Sequence, residues 1–147
     1  MQWTHRMVLG LIAIFVLGGS LVLLSCSSDD DTMDINASNA AAQVGGKQFT
    51  FTEQTDFGVA NATLAFNAAA SRFALTAGNS VATGLVAYGD GSCTFTVGAS
   101  TFAPGTGPQA GQVFTADTCQ TDQSNNNNLI LDDATSSSNG PTAITVS

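Results

Sequence analysis

The chain of 147 residues carries two kinds of side chain able to do chemistry: three cysteines (Cys26, Cys93, Cys119) and a set of carboxylates. Its one histidine, His5, and its one tryptophan, Trp3, stand at the very start. Beyond Cys26 there is no imidazole. A Ser-His-Asp or Cys-His arrangement cannot be assembled there, and zinc or copper sites that use histidine are excluded from the same stretch. Glycoside hydrolysis would need two carboxyl groups about 5 Å, or about 6.5–9.5 Å, apart beside a cleft. Asp132 and Asp133 are adjacent, so a strand would send them to opposite faces. The alternating oxygens of Asp34-Ile35-Asn36-Ala37-Ser38 could open an EF-hand calcium loop. Its sixth position, however, is Asn39 rather than Gly, and its twelfth is Gly45 rather than Glu. A looser calcium site could draw on Asp90, Asp117, Asp122, Asp132 and Asp133. The simpler expectation is solvated turn carboxylates, with no catalytic residue, no metal site and no cofactor.

Charge narrows the partners. All 11 acidic residues lie beyond Cys26, where Lys47 and Arg72 are the only cations, giving that part a formal charge of −9. A polyanion with two scattered cations is a poor ligand for nucleic acid or anionic headgroups. Sugar-stacking platforms want flat exposed aromatics, and Tyr88 is the only tyrosine. Gly105-Thr106-Gly107 lacks a following helix and a basic residue, so it is no phosphate loop. Asn36-Ala37-Ser38 and Asn61-Ala62-Thr63 match the glycosylation sequon, a pattern that chance often supplies.

The elements that would position these groups are β-strands. Phe49 and Phe51 alternate with Gln48, Thr50 and Thr52, and the same period recurs over Thr63–Asn67, Arg72–Thr76 and Cys93–Val97. Val81–Tyr88, Val113–Thr115, Leu129–Leu131 and Ile144–Val146 complete about eight short segments. Regularly spaced Thr- and Phe-rich strands bounded by Gly, Asn, Asp and Pro predict an all-β fold. We expect a small antiparallel β sandwich, Ig-like in general architecture, over residues 47–147. Asp90-Gly91 predicts a hairpin pairing Leu85–Tyr88 with Cys93–Val97. Turns are expected at 56–61, 68–71, 77–80, 104–111, 123–128 and 136–141. The phenylalanines from Phe49 to Phe114 should fill the core. Asn67–Ser71 has helical propensity but is too short to stand as a helix. Residues 27–46 are acidic and small with no apolar period, and read as a disordered tether reaching about 25 Å.

The N-terminus has a different grammar. His5 and Arg6 precede Met7–Leu24, a run without charge, which closes on Leu23-Leu24-Ser25-Cys26. This resembles the signal peptide and lipobox of a bacterial prolipoprotein. The resemblance implies that residues 1–25 are removed, that Cys26 is lipidated, and that residues 26–46 form an acidic tether. With Ser27 rather than Asp after the cysteine, it implies the outer membrane, with the lipid anchor as membrane partner. Taken alone, a helix over Met7–Leu24 would rise about 27 Å, marginally enough to cross a bilayer. Given the lipoprotein reading, Cys93 and Cys119 are the cysteines left over, and in an exported chain they read as one disulfide. The loop it closes is worth roughly 3.5 kcal/mol in the chain-entropy model.

A hairpin symmetric about the two cysteines would set Phe95 against Asp117 and Val97 against Thr115, apolar opposite polar. Either a bulge near Gly98 shifts that register, or the disulfide staples strands of different sheets. The staple is favoured. The expected function is a lipid-anchored envelope protein, not an enzyme, with an adhesion, structural or accessory-binding role toward an envelope or surface partner. The alternative is a ligand-binding or transport-accessory module, possibly calcium-dependent.

Overall fold

The computed structural model describes residues 31–141. Two antiparallel sheets pack as a sandwich. The larger has seven strands in the order β11-β2-β3-β4-β5-β6-β7, and the smaller has four in the order β1-β8-β9-β10. The larger sheet holds β2 (Lys47–Phe51), β3 (Ala62–Phe66), β4 (Arg72–Ala77), β5 (Ser80–Tyr88), β6 (Cys93–Ser100), β7 (Val113–Ala116) and β11 (Ser138–Pro141). The smaller holds β1 (Thr32–Asp34), β8 (Cys119–Asp122), β9 (Asn128–Leu131) and β10 (Ala134–Thr135). From β2 to β7 each strand pairs with its successor, so local turns build most of the large sheet.

Period-2 patterning decides which face is buried. Phe49 and Phe51, Ala62, Leu64 and Phe66, Phe73 and Leu75, and Cys93, Phe95 and Val97 all point inward and are buried. Leu129 and Leu131 meet them from the small sheet. Phe57, carried by the loop after β2, sits among Phe73, Phe95 and Phe114 with ring centroids 5.0–5.8 Å apart. These are tilted or edge-on contacts, the arrangement that ring quadrupoles prefer.

The Asp90-Gly91 hairpin forms as the sequence predicts, pairing Tyr88 with Cys93 and Leu85 with Thr96. Gly91 takes φ 71°, which its missing Cβ permits. The register of β5 on β6 slips between Thr83 and Gly84, leaving Gly98 as the extra residue of a bulge. Gly84 is required there, because a Cβ would collide with the Thr96 carbonyl and the Phe73 ring.

Two expectations are corrected. Residues 31–46 do not belong to a tether, since the compact unit begins at Asp31. Strand β1 pairs with β8, Met33 opposite Thr121, and a one-turn helix α1 (Ala40–Gln43) follows. Ile35, Ala40 and Val44 are buried in the common core. Three apolar residues at irregular spacing make no periodic signal, yet each fills a place between the sheets. The second correction concerns 136–141. Instead of a turn throughout, Ser138–Pro141 runs antiparallel to β2 as an edge strand. Pro141 stands on this edge strand, the kind of strand in which proline is tolerated. The segment 68–71 is a turn, not a helix. The expected strand Ile144–Val146 lies outside the described residues, as do Cys26 and the signal-like run.

Candidate functional site

Cys93 lies on β6 of the large sheet and Cys119 on β8 of the small one, and they form a disulfide with Cα atoms 5.7 Å apart. The pairing therefore staples the two sheets. Beside it, β6 and β7 pair in a register quite different from a hairpin symmetric about the cysteines: Phe95 faces Phe114 and Thr96 faces Val113. Apolar inward residues then meet each other, which the symmetric hairpin denied them.

Of the carboxylates expected in turns, Asp90, Asp117, Asp132 and Asp133 lie in turns or bends, and Asp122 closes β8. Asp122 accepts from the Ser124 hydroxyl (2.7 Å) and the Ser124 and Asn125 amides through one oxygen. Asp34 accepts from the Gln120 side-chain amide at 2.6 Å. Asp132, at φ 46° in the turn between β9 and β10, accepts from the Thr118 amide at 2.7 Å. The EF-hand-like oxygens serve the backbone: Asn36 Oδ1 accepts from the Ser38 amide and hydroxyl, and Asn39 Oδ1 from the Asn36 amide. Asp56 stands next to Asp132. Burial pushes its carboxyl above the usual carboxylate range, and the charge of Asp132, a hydrogen bond to that carboxylate, and the charge of Asp133 push it further. Among the described residues, no three His, Cys, Asp or Glu side chains are grouped to hold a metal ion.

One polar network escaped the sequence reading. Buried Thr121 donates to Gln43 Oε1 at 2.8 Å, and Gln123 donates to the same oxygen at 2.6 Å. This ties α1 to the small sheet. Glutamine and threonine so far apart in sequence carry no pattern by which they could have been found. Tyr88, half-buried, donates its hydroxyl to the Ala70 carbonyl at 2.7 Å. Burial pushes that hydroxyl well above its usual titration range, so it stays a donor. A shallow surface depression of about 390 Å³ opens near Phe102, Val59 and Thr106, and no titratable side chain lines it.

A surface with a distinct character is the outer face of the large sheet. Register places its side chains in rows: Thr50, Thr63, Thr76 and Val81; Gln48, Ala65, Ala74 and Thr83; Arg72, Leu85, Thr96 and Val113; Ala87, Thr94 and Thr115. Leu85 and Val113 are the most exposed large apolar residues described, at 55% and 58%. No carboxylate lies within β2–β7, and the only charges there are Lys47 and Arg72, each the first residue of its strand. Among the described residues, no helix is long and apolar enough to cross a membrane. Comparisons with protein-family models, with curated proteins and with solved structures find no match to this chain.

Proposed function

We propose that the chain is a lipid-anchored protein of the bacterial cell envelope whose sandwich domain adheres, without catalysis, through the outer face of the large sheet. The observation that carries the adhesive part is the partition of charge. Eleven acidic residues serve a chain of net charge −8, yet the strands β2–β7 carry none of them. An extended face free of carboxylates fits a contact surface, whose core is depleted in charged residues. The anchor rests on Leu23-Leu24-Ser25-Cys26 after an uncharged run. Two or more acyl chains at Cys26 would hold stably, each buried CH₂ contributing about 0.8 kcal/mol.

The intact mass of the protein from native membranes tests the anchor. A mass of residues 26–147 plus acyl groups, less the two hydrogens of one disulfide, is the expected result. A mass that retains residues 1–25 would replace the lipid anchor with a helical one. The ligand-binding alternative predicts that calcium raises the melting temperature by several degrees, since a ligand of the native state alone must stabilise it. No shift is expected.

A further inference from the structure

We propose that the outer face of β2–β7 binds ice, so that the anchored domain fixes its cell to a frozen surface. The proposal names the partner of the adhesive face and rests on that reading. Four features of the face fit ice rather than a polymer. First, its strands carry no carboxylate and its one charge is Arg72, in the row of Leu85, Thr96 and Val113, so it offers little to a charged partner. Second, seven of its side chains are threonines: 50, 63, 76, 83, 94, 96 and 115. Each presents a methyl and a hydroxyl on a stiff, β-branched stem. Third, the array is ordered. Thr50, Thr63 and Thr76 stand side by side on three neighbouring strands, and Thr94-Phe95-Thr96 repeats along one. Neighbouring strands lie about 4.8 Å apart and alternate residues about 6.7 Å apart, so the stems of these threonines recur in two directions across the face. Fourth, rival ligands lack their usual handles. The rings of Phe49, Phe51, Phe66, Phe73 and Phe95 are buried, and the Tyr88 hydroxyl is bonded inward to Ala70, which leaves no aromatic platform for a sugar.

Rigidity matters as much as composition, because a crystal can be matched only by an array that holds its spacing. The face is backed by buried Phe and Leu side chains and by the Cys93–Cys119 staple. Thr50 and Thr63 hydroxyls lie 3.3 Å apart, and those of Thr94 and Thr115 3.4 Å, so paired rotamers are shared across strands.

The test uses the full-length protein in detergent, with detergent alone as control. Crystal shaping in a nanolitre osmometer and partition into a slowly growing ice front are measured for wild type, Thr76→Lys, Thr96→Lys and Thr135→Lys. Wild type and Thr135→Lys, the latter altered on the small sheet, are expected to facet crystals and enter the ice. The two face variants are expected to lose most of both effects. Thr76→Ser and Thr96→Ser, which keep the hydroxyl and lose the methyl, should weaken both effects without disturbing the fold. Unshaped crystals and exclusion of wild type from ice would overturn the proposal, as would equal loss in Thr135→Lys or full activity in the face variants. Lack of ice activity in a protein whose mass shows acylated Cys26 removes ice and leaves the anchored-adhesion reading standing. Ice activity with residues 1–25 retained removes only the lipid anchor.

Discussion

At the scale of single residues, the carboxylates repay attention because one of them works against the fold. Asp56 is held above the usual carboxylate range by burial first and by Asp132 second. A carboxyl whose folded pKa is raised binds its proton more tightly in the native state, so stability falls as pH rises above 3.8 through the folded value. Asp56→Asn should therefore raise the melting temperature at neutral pH and change it little below the unfolded value of about 4. Melting curves across that window decide the matter, and an unchanged melting temperature at neutral pH would remove the unfavourable Asp56–Asp132 contact from the account. Tyr88 works the other way. Its hydroxyl satisfies the carbonyl of Ala70, which sits at φ 56°. Tyr88→Phe should cost about 1 kcal/mol in urea unfolding. None of this residue-level detail was legible beforehand, because which carboxylates meet depends on turns brought together from distant parts of the chain.

At the scale of elements, alternation told most of the story. Strands β2–β7 follow from Phe, Leu and Val alternating with Thr, and Asp90-Gly91 marks their sharpest turn. The poor match of the symmetric hairpin pointed to a staple between sheets, which is where Cys93 and Cys119 stand. What alternation could not show is β1 and α1, whose burial rests on the isolated Ile35, Ala40 and Val44, and β11, which docks by backbone pairing on β2. Two predictions belong here. Ile35→Ala should destabilise the domain by about 2–5 kcal/mol, as for a filled core position. A residue in a loose tether would give nearly none, and denaturant unfolding distinguishes the two. Cys93→Ser with Cys119→Ser should cost about 2–4 kcal/mol, read as a lower melting temperature that added reductant no longer changes.

At the scale of the molecule, charge and shape separate. Among the described residues the carboxylates lie in turns, loops and the small sheet, while the broad face of the large sheet is left to threonine, alanine and a few aliphatics with Gln48 and Arg72. Self-repulsion among those carboxylates is long-ranged and screened by salt. Raising the ionic strength at neutral pH should therefore raise the melting temperature, and sodium chloride titration with differential scanning fluorimetry measures it. A fall with salt would mean that attractive pairs dominate.

Strand β1 has a mechanical consequence. Force that enters at Asp31 first loads the three-residue pairing of β1 along β8, and β8 passes it through the Cys93–Cys119 bond to β6, next to the β7 edge of the large sheet. Should β1 shear away, the chain from Thr32 to Gly46 must pay out about 50 Å before tension reaches β2. Ile35, α1, Val44 and the Gly46 amide, which donates to the Asn67 carbonyl, resist that release. The first segment of the domain can thus lengthen under load before tension reaches the large sheet and the covalent staple behind it.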